Sequence, residues 1–341
     1  MNKLPTAIWI TWEDHRRTRG LCDYFQMDLH VLGTRRSGLG RYIELVSRTF
    51  RTLLTVRPQV VIVQSPSIVL SLVAILWRGW LGYRVVVDAH NEAVEPFINP
   101  SAPFRWLTSY LLRHSDLTIV TNRALADIVI SNGGRAVVLP DRIPDPPQLG
   151  RRTATPNPDF AVAVIATFAS DEPVHNILEA ASRLHPHVRF TITGNSNKLP
   201  AVVRRSAPPN VTFSGFLSEA AYWELLANVS LIVDLSLIDN CLVCGGYEAL
   251  SVGTPLLVSN SRASRELFRA AARYTDNSTA SIVAEIQQAR RQIGSLRDNV
   301  VSVRDQLNRE WLVEAERVRC AVMSLGRNGH RRPDRPVDDK V

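Results

Sequence analysis

The hydrophobic pattern of the chain consists of short apolar runs, each separated from the next by a longer segment with helical periodicity. In the first half the runs are Thr6–Thr11, Leu29–Leu32, Val60–Gln64, Arg84–Ala89, Leu117–Thr121 and Ala136–Pro140. Segments such as Leu39–Val56 and Ile68–Leu81 lie between them. Continuous apolar strands that alternate with helices are typical of parallel sheets buried on both faces. The pattern therefore predicts a doubly wound α/β domain.

A proline-rich segment interrupts this alternation, and a second series of apolar runs follows it. Residues 140–158 read PDRIPDPPQLGRRTATPNP, which suits neither a helix nor the interior of a sheet. The later runs are Phe160–Phe168, Val188–Gly194, Val211–Phe213, Ser230–Leu235 and Pro255–Ser259. We expect two similar α/β domains, residues 1–148 and 159–304, joined by a linker over residues 149–158. In this architecture ligands bind at the carboxyl ends of the strands.

The end of the chain is predicted as an amphipathic helix followed by a polar tail. Over residues 305–325, apolar side chains recur at steps of three and four, which places them on one face of a helix. That face must pack against another element. Residues 326–341 are polar and contain two prolines, so this tail is expected to be disordered.

Composition and local hydropathy narrow the class of protein. Of the 341 residues 45% are hydrophobic, which is enough for packed cores, and four cysteines suit a reducing compartment. The N-terminus lacks a signal-peptide pattern. The longest apolar stretch, Val60–Trp77, is broken by polar residues and a proline at 64–67, and the remaining Ile68–Trp77 is too short to span a bilayer. We expect a cytoplasmic protein that lies peripherally on the inner face of the membrane.

The basic excess of the chain is confined to its first half. Residues 1–152 carry 19 Lys and Arg side chains against 12 Asp and Glu, whereas the remainder is nearly neutral. The excess indicates an anionic partner, either nucleic acid, a lipid surface or a phosphorylated substrate. No nucleic-acid-binding motif is visible, so nucleic acid is not expected. The segments Ser67–Tyr83 and Pro103–Arg113 combine aromatic residues with arginines and suit a membrane surface, although buried helices of α/β domains are also apolar.

The segment 239–259, DNCLVCGGYEALSVGTPLLVS, carries the strongest local signal for chemistry. A turn with Gly245 and Gly246 opens a helix that contains Glu248 and ends at Gly253. Backbone N–H groups at a helix start bind phosphate, and a carboxylate one turn later can accept hydrogen bonds from a ribose. An ordinary loop–helix–strand unit with a solvated glutamate gives the same spacing. The Cys-x-x-Cys within the segment lacks a second pair of ligands, so no metal site is expected.

This segment resembles the donor-binding signature of retaining GT-B glycosyltransferases of the family 4 type. Glu248-Ala249-Leu250, Gly253 and Pro255 match that signature, and Val211–Ser236 matches the strand–helix–strand order before it. The resemblance covers most of residues 160–270. It implies the GT-B fold, which has two doubly wound Rossmann-like domains and a C-terminal helix that packs back on the first. It also implies a nucleotide-sugar co-substrate, with no cofactor and no metal required.

The resemblance implies a role for each matching residue of the donor site. Glu248 is expected to contact the nucleotide ribose. Gly215 and Phe216 are expected beside the base, and Gly245 and Gly246 are expected to face the diphosphate. The basic first domain is then expected to bind the acceptor.

Two positions depart from the family pattern. The first glutamate of the signature falls on Asn240, with Asp239 beside it. The family usually has a basic pair that neutralises the diphosphate, and Thr167 and Glu172 occupy those two positions in this chain. This loop is similar to the Asp-Glu-containing loop of the β-mannosyltransferase family that extends dolichol-diphosphate chitobiose. Hydroxyls and backbone amides, helped by an arginine such as Arg262, would then hold the phosphates.

Polar residues also end a buried strand of the first domain. Asp88-Ala89-His90-Asn91 resembles the Asp-x-His-Asn of the same mannosyltransferase family. We expect His90 to contact the donor phosphate or the acceptor, and Asp88 or Glu92 to act as a base if the enzyme inverts. A purely structural histidine is the alternative.

The turn after the first strand is unusually charged. Arg16 and Arg17 are candidates to bind an acceptor phosphate, and Glu13 or Asp14 is a further candidate base. A solvated loop would account for the same residues.

These features together predict a hexosyltransferase. Its donor would be a nucleotide sugar, and its acceptor a polyprenyl-diphosphate-linked saccharide in surface polysaccharide or glycoconjugate biosynthesis. The missing basic pair and Asn240 favour an alternative, a non-catalytic GT-B-like subunit that binds saccharide or partners another transferase.

Overall fold

The computed structural model describes residues 6–65, 67–96, 101–147 and 160–328, and the chain divides into two compact units. The first unit runs to Asp141 and also includes the chain from Trp311 onward. The second unit comprises Arg142–Glu310. The predicted linker, residues 149–158, and most of the predicted tail, from residue 329, lie outside the described residues.

A six-stranded parallel sheet forms the centre of the first unit, in the strand order β2-β1-β3-β4-β5-β6. Its strands are β1 Ala7–Thr11, β2 Asp28–Val31, β3 Val60–Ser65, β4 Arg84–Ala89, β5 Leu117–Val120 and β6 Ala136–Val138. Each corresponds to an apolar run in the sequence. In the central pair, Val61 lies beside Val85 and Gln64 lies beside Asp88. The polar ends of β3 and β4 are therefore neighbours.

Six helices of the first unit follow or connect these strands. They are α1 Arg16–Phe25, α2 Gly38–Val56, α3 Ile68–Leu81, α4 Asn91–Val94, α5 Ala102–His114 and α6 Arg123–Ser131. Successive residues of β1 enter different cores, with Ile8 and Ile10 in one cluster beside Leu45, and Trp9 in another beside Trp311. Both faces of the sheet are therefore covered, as the continuous apolar strands predict.

The second unit repeats this architecture with the strand order β12-β11-β10-β7-β8-β9. Its strands are β7 Phe160–Val164, β8 Val188–Thr193, β9 Val211–Gly215, β10 Leu231–Asp234, β11 Leu256–Ser259 and β12 Ala272–Thr275. The prediction of two doubly wound α/β units is confirmed. The prediction missed β12, an edge strand whose short ARYT sequence has no continuous apolar run.

Helices of the second unit are α7 Val174–Leu184, α8 Ala201–Arg205, α9 Glu219–Asn228, α10 Cys244–Val252, α11 Arg262–Phe268 and α12 Thr279–Arg291, with a 3₁₀ turn over Ser196–Lys198. Helix α10 ends at Gly253, whose φ of 74° is the left-handed conformation that suits a helix C-terminus. The helix therefore stops where the sequence places its glycine, and β11 follows almost at once.

The last helix, α13, spans Ile293–Asn328 and is longer than the predicted 305–325. It begins earlier because the same three- and four-residue spacing of apolar side chains extends back through Val300 to Leu296. From Trp311 onward, one face of the helix, with Ala315, Val318 and Val322, is buried in the first unit beside α1 and β1. Trp311 Nε1 donates a hydrogen bond to the carbonyl oxygen of Pro140 at 3.0 Å.

Candidate functional site

An ion cluster lies at the carboxyl edge of the first sheet. The Asp88 side chain, near the end of β4, is 1% exposed. Arg17, in the first turn of α1, donates to it, with Nη2 3.1 Å and Nε 3.2 Å from Asp88 Oδ1. Arg17 Nη1 donates to Asp141 Oδ1 at 2.5 Å, and Nη2 also donates to the Leu139 carbonyl oxygen at 2.9 Å. One guanidinium therefore joins α1, β4 and the segment that follows β6.

The electrostatics of this cluster keep Arg17 charged. Burial alone would lower the pKa of Arg17, but the adjacent charges of Asp88 and Asp141 raise it above its ordinary value. The sequence predicts that Arg17 binds an acceptor phosphate and that Asp88 transfers a proton. In the structure these two side chains bind each other, which indicates a further role in holding the edge of the sheet together.

His90 lies at the same edge, directly after β4. Gln64 Nε2 lies 3.4 Å from His90 Nε2, and Gln64 Oε1 accepts a hydrogen bond from Thr11 Oγ1 at 2.7 Å. The side-chain amide of Gln64 therefore bridges Thr11 and His90 at this edge. Burial lowers the pKa of His90 and outweighs the opposite effect of Asp88. The neutral imidazole is therefore the favoured form of His90.

The other predicted acceptor and base residues lie around this edge. Glu13 is exposed and accepts a hydrogen bond from an arginine of α2 at 2.9 Å. Asp14 is exposed and accepts from Arg19 Nη2 at 2.7 Å, and this hydrogen bonding lowers the pKa of Asp14. Arg16 is the exposed first residue of α1, and Glu92 is a partly buried residue of α4. The ion pairs of Glu13 and Asp14 are of the exposed kind that contributes little to stability.

Glu248 lies on α10, at the carboxyl edge of the second sheet. Tyr222 Oη, from α9, donates a hydrogen bond to Glu248 Oε2 at 2.6 Å. Burial, followed by the negative charge of Glu248, raises the pKa of Tyr222. The phenol therefore stays protonated at neutral pH and fixes the position of one oxygen of the Glu248 carboxylate.

Gly245 and Gly246 are buried in the first turn of α10. The Gly245 N–H donates to Asp234 Oδ2 at 2.9 Å, and the Gly246 N–H donates to the Val243 carbonyl oxygen at 3.2 Å. A side chain on Gly245 would collide with the Asp234 carboxylate, and one on Gly246 would collide with the Phe268 ring. Close packing therefore requires glycine at both positions.

Asp234 ends β10 and carries a strongly perturbed carboxyl group. Burial raises its pKa to about 7, against the opposing hydrogen bond from the Gly245 N–H. The charges of Glu172, Glu248 and Asp171 raise the pKa further. Several carboxylates are therefore close enough to interact at this edge of the sheet.

The loop after β7 folds around the side chain of Glu172. The N–H groups of Thr167 and Phe168 donate to its carboxylate at 2.9 and 2.8 Å, and Thr167 Oγ1 donates at 2.7 Å. Lys198, in the 3₁₀ turn after β8, donates from Nζ to the Thr167 carbonyl oxygen at 2.7 Å. A basic side chain thus reaches this loop from the turn after β8, whereas the family pattern places its basic pair in the loop after β7.

Asn240 and Arg262 have local explanations in the structure. Asn240 has a φ of 61°, a left-handed conformation that asparagine adopts more readily than glutamate, and exposed Asp239 precedes it. Arg262, the first residue of α11, donates from Nε to Glu266 Oε1 at 2.9 Å. The conformation of position 240 therefore gives a physical reason for the departure from the family glutamate.

Gly215 and Phe216 lie at the carboxyl end of β9. Gly215 has a φ of 68°, and the side chain that follows it, Phe216, is 84% exposed. An exposed ring at the ligand-binding edge of a sheet is suited to stacking on a planar group. This placement agrees with the predicted position beside a base, and the role itself stays a prediction.

Three residues that contribute to the site were not selected from the sequence, namely Tyr222, Asp234 and Lys198. Lys198 carries a signal that could have found it, because lysine occurs at only three positions of the chain, 3, 198 and 340. Tyr222 and Asp234 carry no local signal, since their importance comes from contacts with residues distant in the sequence.

The described residues contain neither a metal-binding cluster nor a membrane-spanning helix. Within these ranges no three His, Cys, Asp or Glu side chains are arranged to hold a metal ion. Neither Cys241 nor Cys244 takes part in a disulfide, and burial raises the pKa of Cys241 to about 11. No helix in the described part of the chain is long and apolar enough to cross a bilayer.

Comparison with known proteins identifies the fold. Residues 11–141 match the glycosyl transferase 4-like domain. Alr3699/HepE of Anabaena, in complex with UDP and glucose, aligns with a TM-score of 0.71 and 14% identity over 93% of this chain and 91% of its own. A glycosyltransferase from Rickettsia africae gives 0.73 and 11% over 96% and 100%. The lipopolysaccharide outer core galactosyltransferase WaaB gives 0.65 and 13% over 93% and 99%. This chain has the GT-B fold.

The GT-B fold accounts for the two similar units and for the C-terminal helix. The glycosyl transferase 4-like match falls in the first unit, whereas the resemblance found in the sequence rests on residues 160–270 of the second. The two observations therefore point to the same class of GT-B protein from different parts of the chain. No curated protein sequence gives a significant match. The narrower resemblance to the β-mannosyltransferase family stays a prediction.

Proposed function

We propose that the protein is a hexosyltransferase that uses a nucleotide-sugar donor. The match of residues 11–141 to the glycosyl transferase 4-like domain and the GT-B fold of the whole chain support this reaction class. The structure of HepE in complex with UDP-glucose supports a nucleoside diphosphate sugar as the donor.

The observation that carries the proposal is the fixed carboxylate of Glu248 at the carboxyl edge of the second sheet. Tyr222 orients it through a hydrogen bond of 2.6 Å. A carboxylate held in this way can accept two hydrogen bonds from a ribose diol. The exposed ring of Phe216 at the same edge can stack on the base. These contacts would bind the nucleoside of the donor, and the adjacent loop at Thr167 would bind its phosphates.

Transfer requires stabilisation of the departing diphosphate. The bond between the anomeric carbon and the donor phosphate breaks, its electron pair leaves with the diphosphate, and an acceptor hydroxyl forms the new bond and loses its proton. Backbone N–H groups and the Lys198 ammonium can balance the developing charge. His90, as a neutral imidazole, can donate from its ring N–H to a sugar hydroxyl or phosphate oxygen. Glu92 would take the proton in an inverting reaction.

The acceptor is proposed to be a polyprenyl-diphosphate-linked saccharide at the inner membrane surface. Most of the basic excess lies in the first half of the chain. Exposed apolar side chains of the first unit include Leu39 and Ile43 on α2, Trp80 on α3 and Trp106 on α5. Aromatic and aliphatic residues among arginines suit an anionic lipid surface. A role in surface polysaccharide or glycoconjugate synthesis follows from such an acceptor.

A transfer assay tests the proposal. The full chain is incubated with labelled UDP- and GDP-sugars and with polyprenyl-diphosphate saccharides in anionic vesicles, and labelled glycolipid is measured. We expect transfer from at least one donor, loss of transfer in Glu248→Ala, and unchanged transfer in Glu179→Gln, an exposed carboxylate on α7. If no donor supports transfer, the proposal that the protein is a glycosyltransferase is contradicted. Equal transfer to a soluble acceptor without vesicle binding would contradict the lipid-linked acceptor.

One observation favours a second function, a non-catalytic subunit that binds saccharide or partners another transferase. Glu172 stands where the family has a lysine, and its carboxylate takes the N–H groups of Thr167 and Phe168. If Glu248→Ala and His90→Ala both leave glycoconjugate synthesis in cells unchanged while deletion of the protein abolishes it, this second function is supported.

A further inference from the structure

The loop between β7 and α7 holds a carboxylate where a phosphate would be expected. Glu172 accepts hydrogen bonds from the N–H groups of Thr167 and Phe168, at 2.9 and 2.8 Å, and from Thr167 Oγ1 at 2.7 Å. Successive backbone N–H groups that converge on one point form a nest, a common binding site for anions. In this chain a side chain of the same loop occupies the nest.

Contacts from the neighbouring strand support the loop independently of Glu172. Gly194, at the end of β8, approaches the Ala166 carbonyl so closely that no side chain fits there. Lys198 Nζ donates to the Thr167 carbonyl oxygen at 2.7 Å. We therefore expect the nest to persist when the Glu172 carboxylate is removed.

The surroundings of the nest are negatively charged. Glu172, Glu248 and Asp171 all act on Asp234, although burial is the main reason that the pKa of Asp234 is raised to about 7. A diphosphate that approaches this edge meets these carboxylates. Near a protein surface, one like charge a few ångströms away changes affinity by about tenfold. The carboxylate of Glu172, which sits in the nest itself, opposes a phosphate most directly.

The geometry points to Glu172 as a built-in competitor of the donor, whose carboxylate a phosphate of the nucleotide must displace from the nest of Thr167 and Phe168. This inference rests on the proposed function, because the competing ligand is the donor diphosphate. When Glu172 turns away, two N–H groups and the Thr167 hydroxyl become donors to phosphate oxygens, beside the Lys198 ammonium. After transfer, the returning carboxylate competes with the nucleoside diphosphate product and promotes its release.

Calorimetric titrations with UDP, GDP and inorganic pyrophosphate test this competition. The titrated proteins are the full unaltered chain, Glu172→Gln and Glu172→Ala. Glu179→Gln is the control, because it removes one negative charge from the next helix outside the nest. We expect pyrophosphate and the preferred nucleotide to bind about tenfold more tightly to Glu172→Ala, with Glu172→Gln intermediate and Glu179→Gln unchanged. Circular dichroism checks that each variant is folded.

A second substitution separates occupation of the nest from a general charge effect. In the unaltered protein the Thr167 hydroxyl donates to Glu172 before pyrophosphate binds and to pyrophosphate afterwards. Thr167→Val therefore changes pyrophosphate affinity little. In the Glu172→Ala protein the hydroxyl serves the phosphate alone, so the same substitution weakens binding by about tenfold. Equal effects of Thr167→Val in the two backgrounds would contradict the inference that Glu172 and the phosphate occupy the same nest.

The outcomes distinguish this inference from the proposed function. If the unaltered protein binds a nucleotide and Glu172→Ala binds it equally or more weakly, the inference is overturned and the proposed function stands. Binding that emerges only in Glu172→Ala supports the inference. If neither the unaltered chain nor any variant binds UDP, GDP or pyrophosphate, both the inference and the proposed function are contradicted.

Discussion

Arg17 and Asp88 form a buried ion pair, with Arg17 Nη2 3.1 Å from Asp88 Oδ1 and the two side chains 6% and 1% exposed. The pair joins α1 to β4, a central strand of the first sheet, across 71 positions of the chain. It lies at the edge where His90 follows β4, so it positions the strand end from which that candidate catalytic residue projects.

Loss of the Arg17 guanidinium is expected to destabilise the first unit strongly. In Arg17→Met the buried Asp88 carboxylate loses its counter-charge, and breaking a buried pair in this way costs about 3–5 kcal/mol. Arg19→Met is the matched control on the same helix, because its partner Asp14 is exposed and such pairs contribute little to stability. Urea denaturation measures both variants, and equal losses of stability would contradict a structural role for the Arg17 pair.

The raised pKa of Asp234 predicts that stability falls as pH rises. Its carboxyl has a pKa of about 7 in the folded protein and 3.8 ordinarily, so the folded state holds a proton that the unfolded state releases between these values. Stability from this group is therefore complete below the ordinary pKa and is lost as pH rises through 7. Between about pH 5 and pH 8 the loss is about 1–3 kcal/mol.

Asp234→Asn isolates this effect. The amide can still accept from the Gly245 N–H but does not ionise, so the variant should gain stability relative to the unaltered protein as pH rises. Denaturation curves near pH 5, where the wild-type carboxyl is protonated, provide the internal control. A stability difference that stays constant over this pH range would show that Asp234 does not titrate there.

Tyr222→Phe is expected to weaken nucleotide binding more than it affects folding. The substitution removes the donor that holds Glu248 Oε2, at a cost in stability of about 1 kcal/mol. Because the carboxylate then loses its fixed orientation, nucleotide affinity should fall several-fold. Tyr274→Phe is the matched control, since its hydroxyl donates to the Arg269 carbonyl oxygen elsewhere in the same unit. Calorimetry should separate the two variants, and similar affinities would argue against an orienting role for Tyr222.

His90 should titrate below the ordinary histidine value of 6.5, because burial disfavours its charged form. The proton chemical shift of its ring, assigned by comparison with His90→Gln, measures this directly. A His90 that titrates at or above 6.5 in the unaltered protein would contradict the neutral imidazole.

Periodicity alone predicted most of the fold, because continuous apolar strands between amphipathic helices leave few alternatives to parallel sheets. The exceptions are physically informative. β12 is an edge strand with a partly exposed arginine and no apolar run. Helix α13 begins at Ile293, before the predicted start at residue 305, because its apolar stripe continues back through a mostly polar sequence.

Residues of the candidate site were predictable where position after a strand or a motif marked them, as for His90 and Glu248. Their partners were not, because Gln64 meets His90 and Tyr222 meets Glu248 only through packing of elements far apart in the chain. The same reason explains Arg17, whose buried carboxylate partners are distant in the sequence. The rarity of lysine marks Lys198, but its contact with the loop at Thr167 comes from the turn after the next strand and is visible only in the structure.

Binding of a nucleoside diphosphate by the second unit is the property on which the proposed function rests. Calorimetric titration of the full chain with UDP, GDP and their sugars measures it directly, with Glu248→Ala as the test variant and Glu179→Gln as its control. We expect saturable binding of at least one nucleotide, and affinity lower by about tenfold or more in Glu248→Ala alone. Absence of binding by every nucleotide, in Glu172→Ala as well as in the unaltered chain, or equal affinity in Glu248→Ala, would contradict a donor site at this edge of the sheet.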